Sequence, residues 1–305
     1  MQRILSTTVL VGLLAATAAA FAITERLKLT KSPITGVKIV REYVSPAAHT
    51  TAAVRVRFRR ADRVTATILD SHRRSVDTLA YRSPVRRGYL TYIWNGRTDV
   101  RTVPRDGTYR LEIHFESQHR TILLPNPLLL ETKPPVVLDA GAVRPVLSPD
   151  DDHQSDTVTI HYKLSEDAHV VVFLDGHRVI RGRSSKPRNK VSWNGKADGK
   201  LLPPGTYVLT VGAVDQAGNR ASKVQHVTVT IRYITLRAKR VAVAAGGRVR
   251  IGVSTDAKRY HWRLGTREGF ASGRVLKLQA PAHAGRYPLT VSEHGHVDTA
   301  TVLVR

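Results

Sequence analysis

The chain contains no cysteine. That absence excludes a disulfide framework, a thiolate metal site and a cysteine nucleophile. Aromatic residues are scarce, at 6% of the 305 residues, so any packed core must rest on Val, Leu, Ile and Ala. Acidic residues are also few. Asp and Glu number 24 against 48 Lys and Arg, a formal net charge of +24. Beyond the N-terminus no stretch keeps a 3.6-residue apolar period, which argues against helical domains. No H-E-x-x-H, G-x-S-x-G or phosphate-binding loop occurs. Nothing in the sequence supplies a catalytic constellation, and the expectation is a protein that is not an enzyme.

What is abundant is positive charge. Such a surface attracts polyanions at long range. Anionic envelope polymer, anionic lipid and nucleic acid all qualify, as does an acidic protein partner. Aromatics interleaved with the basic residues, which would stack single-stranded bases, are sparse. That weighs against a dedicated nucleic-acid binder. The high Arg and Ala content is equally what a GC-rich genome produces.

The N-terminus carries the longest apolar run, Ile4 to Ile23 after Arg3, broken by Ser6, Thr7, Thr8, Gly12 and Thr17. About 20 helical residues span a bilayer. The same run reads as a signal peptide, with Ala20-Phe21-Ala22 matching an A-x-A cleavage site. Residues 1–23 are therefore a signal peptide or a transmembrane anchor. The chain is either single-pass in the cell membrane with an extracytoplasmic body, or secreted after cleavage near Ala22. Arg26, Lys28, Lys31 and Lys38 follow the run and by the positive-inside rule favour the opposite orientation. Residues 24–43 are weakly patterned and read as a basic stalk.

A repeat organises the remainder. Trp94-Asn95-Gly96-Arg97 recurs as Trp193-Asn194-Gly195-Lys196, and Gly107-Thr108-Tyr109 recurs as Gly205-Thr206-Tyr207. The spacing from Trp to Gly is 13 residues in the first copy and 12 in the second. Ser45-Pro46 opens one copy and Ser148-Pro149 the other. Alternating runs such as 53–58, 64–69, 157–162 and 169–174 predict half-buried strands. Turn signals at Asp175-Gly176, Asp198-Gly199 and Ala217-Gly218-Asn219 separate them. A third segment carries Gly285-Arg286-Tyr287, echoing Gly205-Thr206-Tyr207, but lacks the Trp-Asn-Gly turn. The expected fold is all-β: tandem Ig-like β-sandwiches after one N-terminal hydrophobic helix. The modules are expected at 44–133, 134–232 and 233–305, the last a shorter sandwich.

The pattern Trp-Asn-Gly-[Arg/Lys], a short turn, then Gly-Thr-Tyr and a strand resembles the Ig-like repeat of FlgD-type flagellar hook-capping proteins and of many bacterial surface proteins. The resemblance covers about residues 44–232. Leu147-Ser148-Pro149-Asp150-Asp151-Asp152 is similar to the Ser-Pro-Asn-Gly-Asp-Gly entry of such modules. It implies the sandwich fold, and it implies little about function, because these modules occur on hydrolases, adhesins and assembly factors alike. One alternative role is accordingly an accessory subunit of an envelope hydrolase or surface assembly. Within the motif, Trp94, Trp193, Tyr109 and Tyr207 read as core aromatics.

Two groups are candidates for binding. Asp150, Asp152 and Asp156 offer the hard oxygen ligands that suit Ca²⁺. The glycines of the related loop are replaced by Asp151 and His153. Glu293, His294 and His296 form a smaller group in a hairpin turn. The polyanion candidates are Arg55, Arg57 and Arg59, expected on one face of a strand, with Arg181, Arg183, Lys186 and Arg188. The preferred reading is a spacer or binding module of the cell envelope, with nucleic-acid binding as the alternative.

Overall fold

The computed structural model describes residues 12–18, 21 and 31–305. Residues 12–18 are helical. Among the described residues no helix is long and apolar enough to cross a membrane. Most of the expected signal or anchor at 1–23 lies outside the described residues. The chain divides into two compact units, Met1–Thr132 and Lys133–Arg305.

The first unit holds one sandwich. Its strands are β1 (Ile34–Arg41), β2 (Tyr43–Val44), β3 (Ala52–Phe58), β4 (Asp62–Leu69), β5 (Ser75–Val85), β6 (Gly88–Trp94), β7 (Gly107–Phe115) and β8 (Arg120–Leu130). They form a three-stranded sheet, β1-β3-β6, and a five-stranded sheet, β2-β8-β7-β4-β5. Period-two alternation makes these strands. In β3, Val54, Val56 and Phe58 are buried while Arg55 and Arg57 are exposed. The segment expected to be stalk contributes β1, with Lys38 opposite Arg55 and Ile39 opposite Val54. Register shifts after Ile34 and Ile39 break the alternation that would have marked it as a strand. Ile34, Val37 and Ile39 nevertheless pack against the core.

The second unit repeats this order twice. Its first sandwich has β9 (Val137–Ala142), β10 (Val146–Leu147), β11 (Val158–Leu164), β12 (Ala168–Leu174), β13 (His177–Arg181), β14 (Arg188–Trp193), a small hairpin of β15 (Lys196–Ala197) and β16 (Lys200–Leu201), β17 (Gly205–Asp215) and β18 (Gln225–Ile231). The next has β19 (Thr235–Leu236), β20 (Arg240–Val243), β21 (Arg248–Ser254), β22 (Tyr260–Leu264), β23 (Arg267–Ala271), β24 (Val275–Gln279), β25 (Gly285–Glu293) and β26 (His296–Val304). The sheets are β14-β11-β9 with β10-β18-β17-β12-β13, and β19-β21-β24 with β20-β26-β25-β22-β23. All three modules therefore share one Ig-like topology. The first strand segment joins the small sheet, and the second crosses to pair in parallel with the last strand. Each sandwich has its own apolar core.

The repeated motifs close one end of each sandwich. Trp94 ends β6 fully buried, and its indole N–H donates to the Arg97 carbonyl at 2.8 Å. Trp193 does the same to Lys196 at 2.9 Å. A large apolar body thus fills the core while its one polar atom is satisfied. Gly96 and Gly195 sit between them at φ of 76° and 73°, a region that favours glycine. A Cβ at Gly96 would lie 2.9 Å from Pro46 Cγ and 3.0 Å from Leu130. The Ser-Pro entry therefore packs directly on the Trp-Asn-Gly turn. The Tyr109 hydroxyl donates to the Arg105 carbonyl at 2.6 Å, Tyr207 to Pro203 at 2.7 Å and Tyr287 to His283 at 3.0 Å. Each ties the start of its strand to the loop four residues before, as in the tyrosine corner of other sandwiches. The third module keeps the tyrosine. Where the others carry Trp it has buried Ala280, just past β24.

Gly96→Ala pays both for positive φ and for the collision with Pro46, about 2–3 kcal/mol in all. Gly199 has a similar φ of 78° but open space around it. Gly199→Ala should cost about 1 kcal/mol. Urea unfolding of the two variants checks the difference. Asp298 supplies a pH test. Burial alone would raise its pKa, but the Lys239 ammonium and the amides of Leu236 and Thr299 outweigh that and hold it below 3.8. A depressed carboxylate contributes stability above its unfolded pKa and loses it as pH falls through the folded one. Asp298→Asn will flatten the acid limb of the stability curve below about pH 4 and leave its slope at pH 6–8 unchanged.

Candidate functional site

The acidic loop lies between β10 and β11. The Ser148 amide donates to Ser155 at 3.0 Å and closes the loop. Asp156 points inward to the loop itself. Its Oδ1 accepts the amides of Asp150 (3.2 Å) and Asp151 (2.9 Å), and its Oδ2 accepts that of His153 (2.9 Å). Asp151 and His153, which stand where related loops have glycine, adopt φ of 63° and 66°. The loop thus curls without glycine, held by one carboxylate. Asp156 is a loop organiser rather than an outward-facing ligand, contrary to the sequence expectation.

With Asp156 inside, Asp150 and Asp152 turn toward the next module. There they meet residues from two loops at one end of that sandwich. Asp256 comes from the β21–β22 connection, and Glu293 and His294 come from the β25–β26 hairpin. One ligand atom from each of Asp150, Asp256 and Glu293 lies within 4.8 Å of the others, and the same holds for Asp150, Asp152 and His294. Asp152 is partly engaged, accepting the amide and side chain of Gln154. Glu293 accepts the Thr255 hydroxyl at 2.8 Å. Burial pushes Asp150, Asp256 and Glu293 above the usual carboxylate range, and their mutual repulsion adds to it. His296, grouped with His294 in the sequence, instead stacks on Tyr233 at 3.5 Å. Asp256 carries no signal in its own neighbourhood. Only the fold brings it to Asp150.

The basic candidates separate. Arg55 and Arg57 share the exposed face of β1-β3-β6, where Lys38 stands opposite Arg55 and Tyr89 opposite Arg57. The Arg55 guanidinium lies 4.5 Å from the Tyr89 ring and that of Arg57 5.4 Å. Arg59 lies past the end of β3 and does not join them. Its Nε–H donates to the Ser32 carbonyl at 2.8 Å. Arg188 is on the corresponding face of the second module, with Lys163 opposite and Lys190 two residues on. Arg181 is on β13, in the other sheet, and Arg183 and Lys186 lie in the following loop. The third module shows the same small-sheet pattern, with Arg250 opposite Lys277 and Arg248 opposite Gln279. Arg248-Val249-Arg250-Ile251 repeats the Arg55-Val56-Arg57-Phe58 alternation, and that signal was available in the sequence.

Fold and site together define a tandem Ig-like β-sandwich protein. No family model and no curated protein matches the chain. Among solved structures it is similar to the fibronectin(III)-like modules of Clostridium thermocellum CbhA. That match has a TM-score of 0.35 and 14% identity, over 65% of this chain and 94% of that one. It is also similar to the D0-D1 domain of Intimin, with a TM-score of 0.26 and 10% identity over 65% and 98%. A tetra-tandem repeat from the extending region of a large adhesion protein matches with a TM-score of 0.24 and 13% identity over 85% and 72%. At these scores the likeness carries no functional argument.

Removing the loop organiser is a direct test of the site's construction. Asp156→Ala deletes an acceptor of three amides, each bond to a charged group being worth about 1.5–3 kcal/mol. Hydrogen exchange at Asp150, Asp151 and His153 should speed up by about tenfold or more, while amides in β11 and β17 stay protected.

Proposed function

We propose that the chain is a non-catalytic spacer and binding protein of the cell envelope, whose small sheets bind anionic envelope polymer. The observation that carries this reading is the repeated charge on one sheet. The exposed face of the three-stranded sheet presents Lys38, Arg55 and Arg57 in the first module, Lys163, Arg188 and Lys190 in the second, and Arg248, Arg250 and Lys277 in the third. In the second module the central strands of the other sheet, β12, β17 and β18, contain no Lys or Arg, and its basic residues, Arg178 and Arg181, sit on the edge strand β13. Rows of cations on a pleated surface, two residues apart along each strand, match a flexible polyanion without demanding a defined pose.

The envelope location rests on the apolar N-terminal run with its Ala20-Phe21-Ala22 site and on the tandem-module architecture. The FlgD-type kinship of the first two modules rests on their Trp-Asn-Gly and Gly-Thr-Tyr motifs. These modules space the basic faces along the chain.

Long-chain polyphosphate is a defined probe. The full chain should bind it at low salt and release it steeply as salt rises. Near an anionic surface each Lys or Arg contributes about 1 kcal/mol. Arg55→Ala with Arg57→Ala should therefore weaken binding by about thirtyfold, whereas Arg181→Ala, on the other sheet, should change it little. Equal losses from both sheets would defeat the face-specific reading. Much tighter binding to single-stranded DNA at matched charge would favour the nucleic-acid alternative.

A further inference from the structure

The carboxylates between the second and third modules are arranged against their own electrostatics. Asp150, Asp152, Asp256 and Glu293 converge from three loops, and among the described residues no Lys or Arg forms an ion pair with any of them. Arg144, Arg232, Arg237 and Arg274 line an adjoining cavity of about 320 Å³ that Asp256 also borders, but they do not pair with the cluster. The Glu293 side chain is only 6% exposed. Two oxygens are fully buried with no hydrogen-bond partner at all, Asp150 Oδ1 and Asp256 Oδ2. An unsatisfied buried acceptor costs about 1–3 kcal/mol, more when charged, and like charges this close repel. Surface acids without a ligand normally splay into water. These are instead held inward by neighbouring groups. Ser148 Oγ lies 3.3 Å from Asp150 Oδ2, and the Thr255 hydroxyl, itself fixed by the Ala257 amide, grips Glu293.

We infer that Asp150, Asp256 and Glu293, with Asp152 alongside, form a Ca²⁺ site that joins the second module to the third. The donors are carboxylate oxygens, hard ligands that suit Ca²⁺. Asp150 is central, because it belongs to both groups of converging side chains. A cation near the converging carboxylates offsets the cost of leaving buried acceptors unpaired. His294 stands at the rim, 52% exposed, its Nδ1 3.9 Å from Glu293. Bound metal fixes the acidic loop of one module to two loops of the next and so stiffens the joint between them. The inference is independent of polyanion binding by the small sheets.

The test uses the full chain stripped of metal and titrated with Ca²⁺ alone, followed by calorimetry and thermal unfolding. Modular extracellular sites bind Ca²⁺ with Kd of about 10⁻⁴–10⁻³ M. At a hundredfold excess over Kd the transition of the second unit should rise by about 5–10 °C. Asp256→Asn keeps the shape and removes a charge. It should raise the metal-free transition and abolish the Ca²⁺ response together, a pairing that simple misfolding does not produce. Asp77→Asn, at a carboxylate of the first module, should leave the response intact. The inference fails if millimolar Ca²⁺ neither binds nor shifts the transition, or if Asp256→Asn retains the full response. A transition that ignores Ca²⁺ but falls as pH rises from 5 to 8 would overturn it in favour of a proton shared between Asp150 and Asp256.

Discussion

The bond from the Trp94 indole N–H to the Arg97 carbonyl, repeated from Trp193 to Lys196, constrains much that surrounds it. A sandwich with few aromatics needs bulk in its core, and indole supplies it only if the N–H finds an acceptor. The chain provides one by turning back at once through Asn-Gly. That turn needs positive φ, and the space beside it is filled by the Ser-Pro that opens the module. Motifs some 50 residues apart in sequence thus form a single packed corner. The following strand is fixed by a second local bond, from tyrosine to the carbonyl four residues before it. The third module, which lacks the Trp-Asn-Gly turn, keeps the tyrosine bond and closes on an alanine.

The large loops of the sandwiches hang from these fixed strand ends, and one of them has become acidic. In the first module the loop after Ser-Pro is short and closed by Thr50 against Ser45. In the second the equivalent stretch runs to Ser155 and folds around Asp156. The added residues are what carry Asp150 and Asp152 to the neighbouring module. This difference between the two copies lies in the length and charge of a connection, on the same two sandwich sheets.

The repeat, the alternation of the strands and the structural role of the aromatic motifs were legible in the sequence, because each is a local pattern with a local cause. Strand β1 was not, since its bulges spoil the period and its basic residues resemble a stalk. The acidic loop was half legible. Its carboxylates stand out, but their directions depend on which oxygen caps which amide, so Asp156 could not be told apart from Asp150. Asp256 was invisible, isolated in its own segment, and Glu293, though grouped with His294 and His296, gave no sign of meeting Asp150, since both lie more than a hundred residues away. The basic faces were visible in part. Arg55 and Arg57 alternate plainly, while Arg59 follows the same spacing past the point where the strand ends.

The crossing of the first strand segment to the opposite sheet has a mechanical meaning. In each module the second segment runs parallel to the last strand: Tyr43–Val44 beside Leu129–Leu130, Val146–Leu147 beside Thr230–Ile231, Arg240–Val243 beside Thr301–Val304. Parallel neighbours enter and leave a module at opposite ends. Tension along the chain therefore pulls the two strands past each other, and the bonds between them are loaded together rather than opened one after another. The third module has four residue pairs in that contact where the others have two.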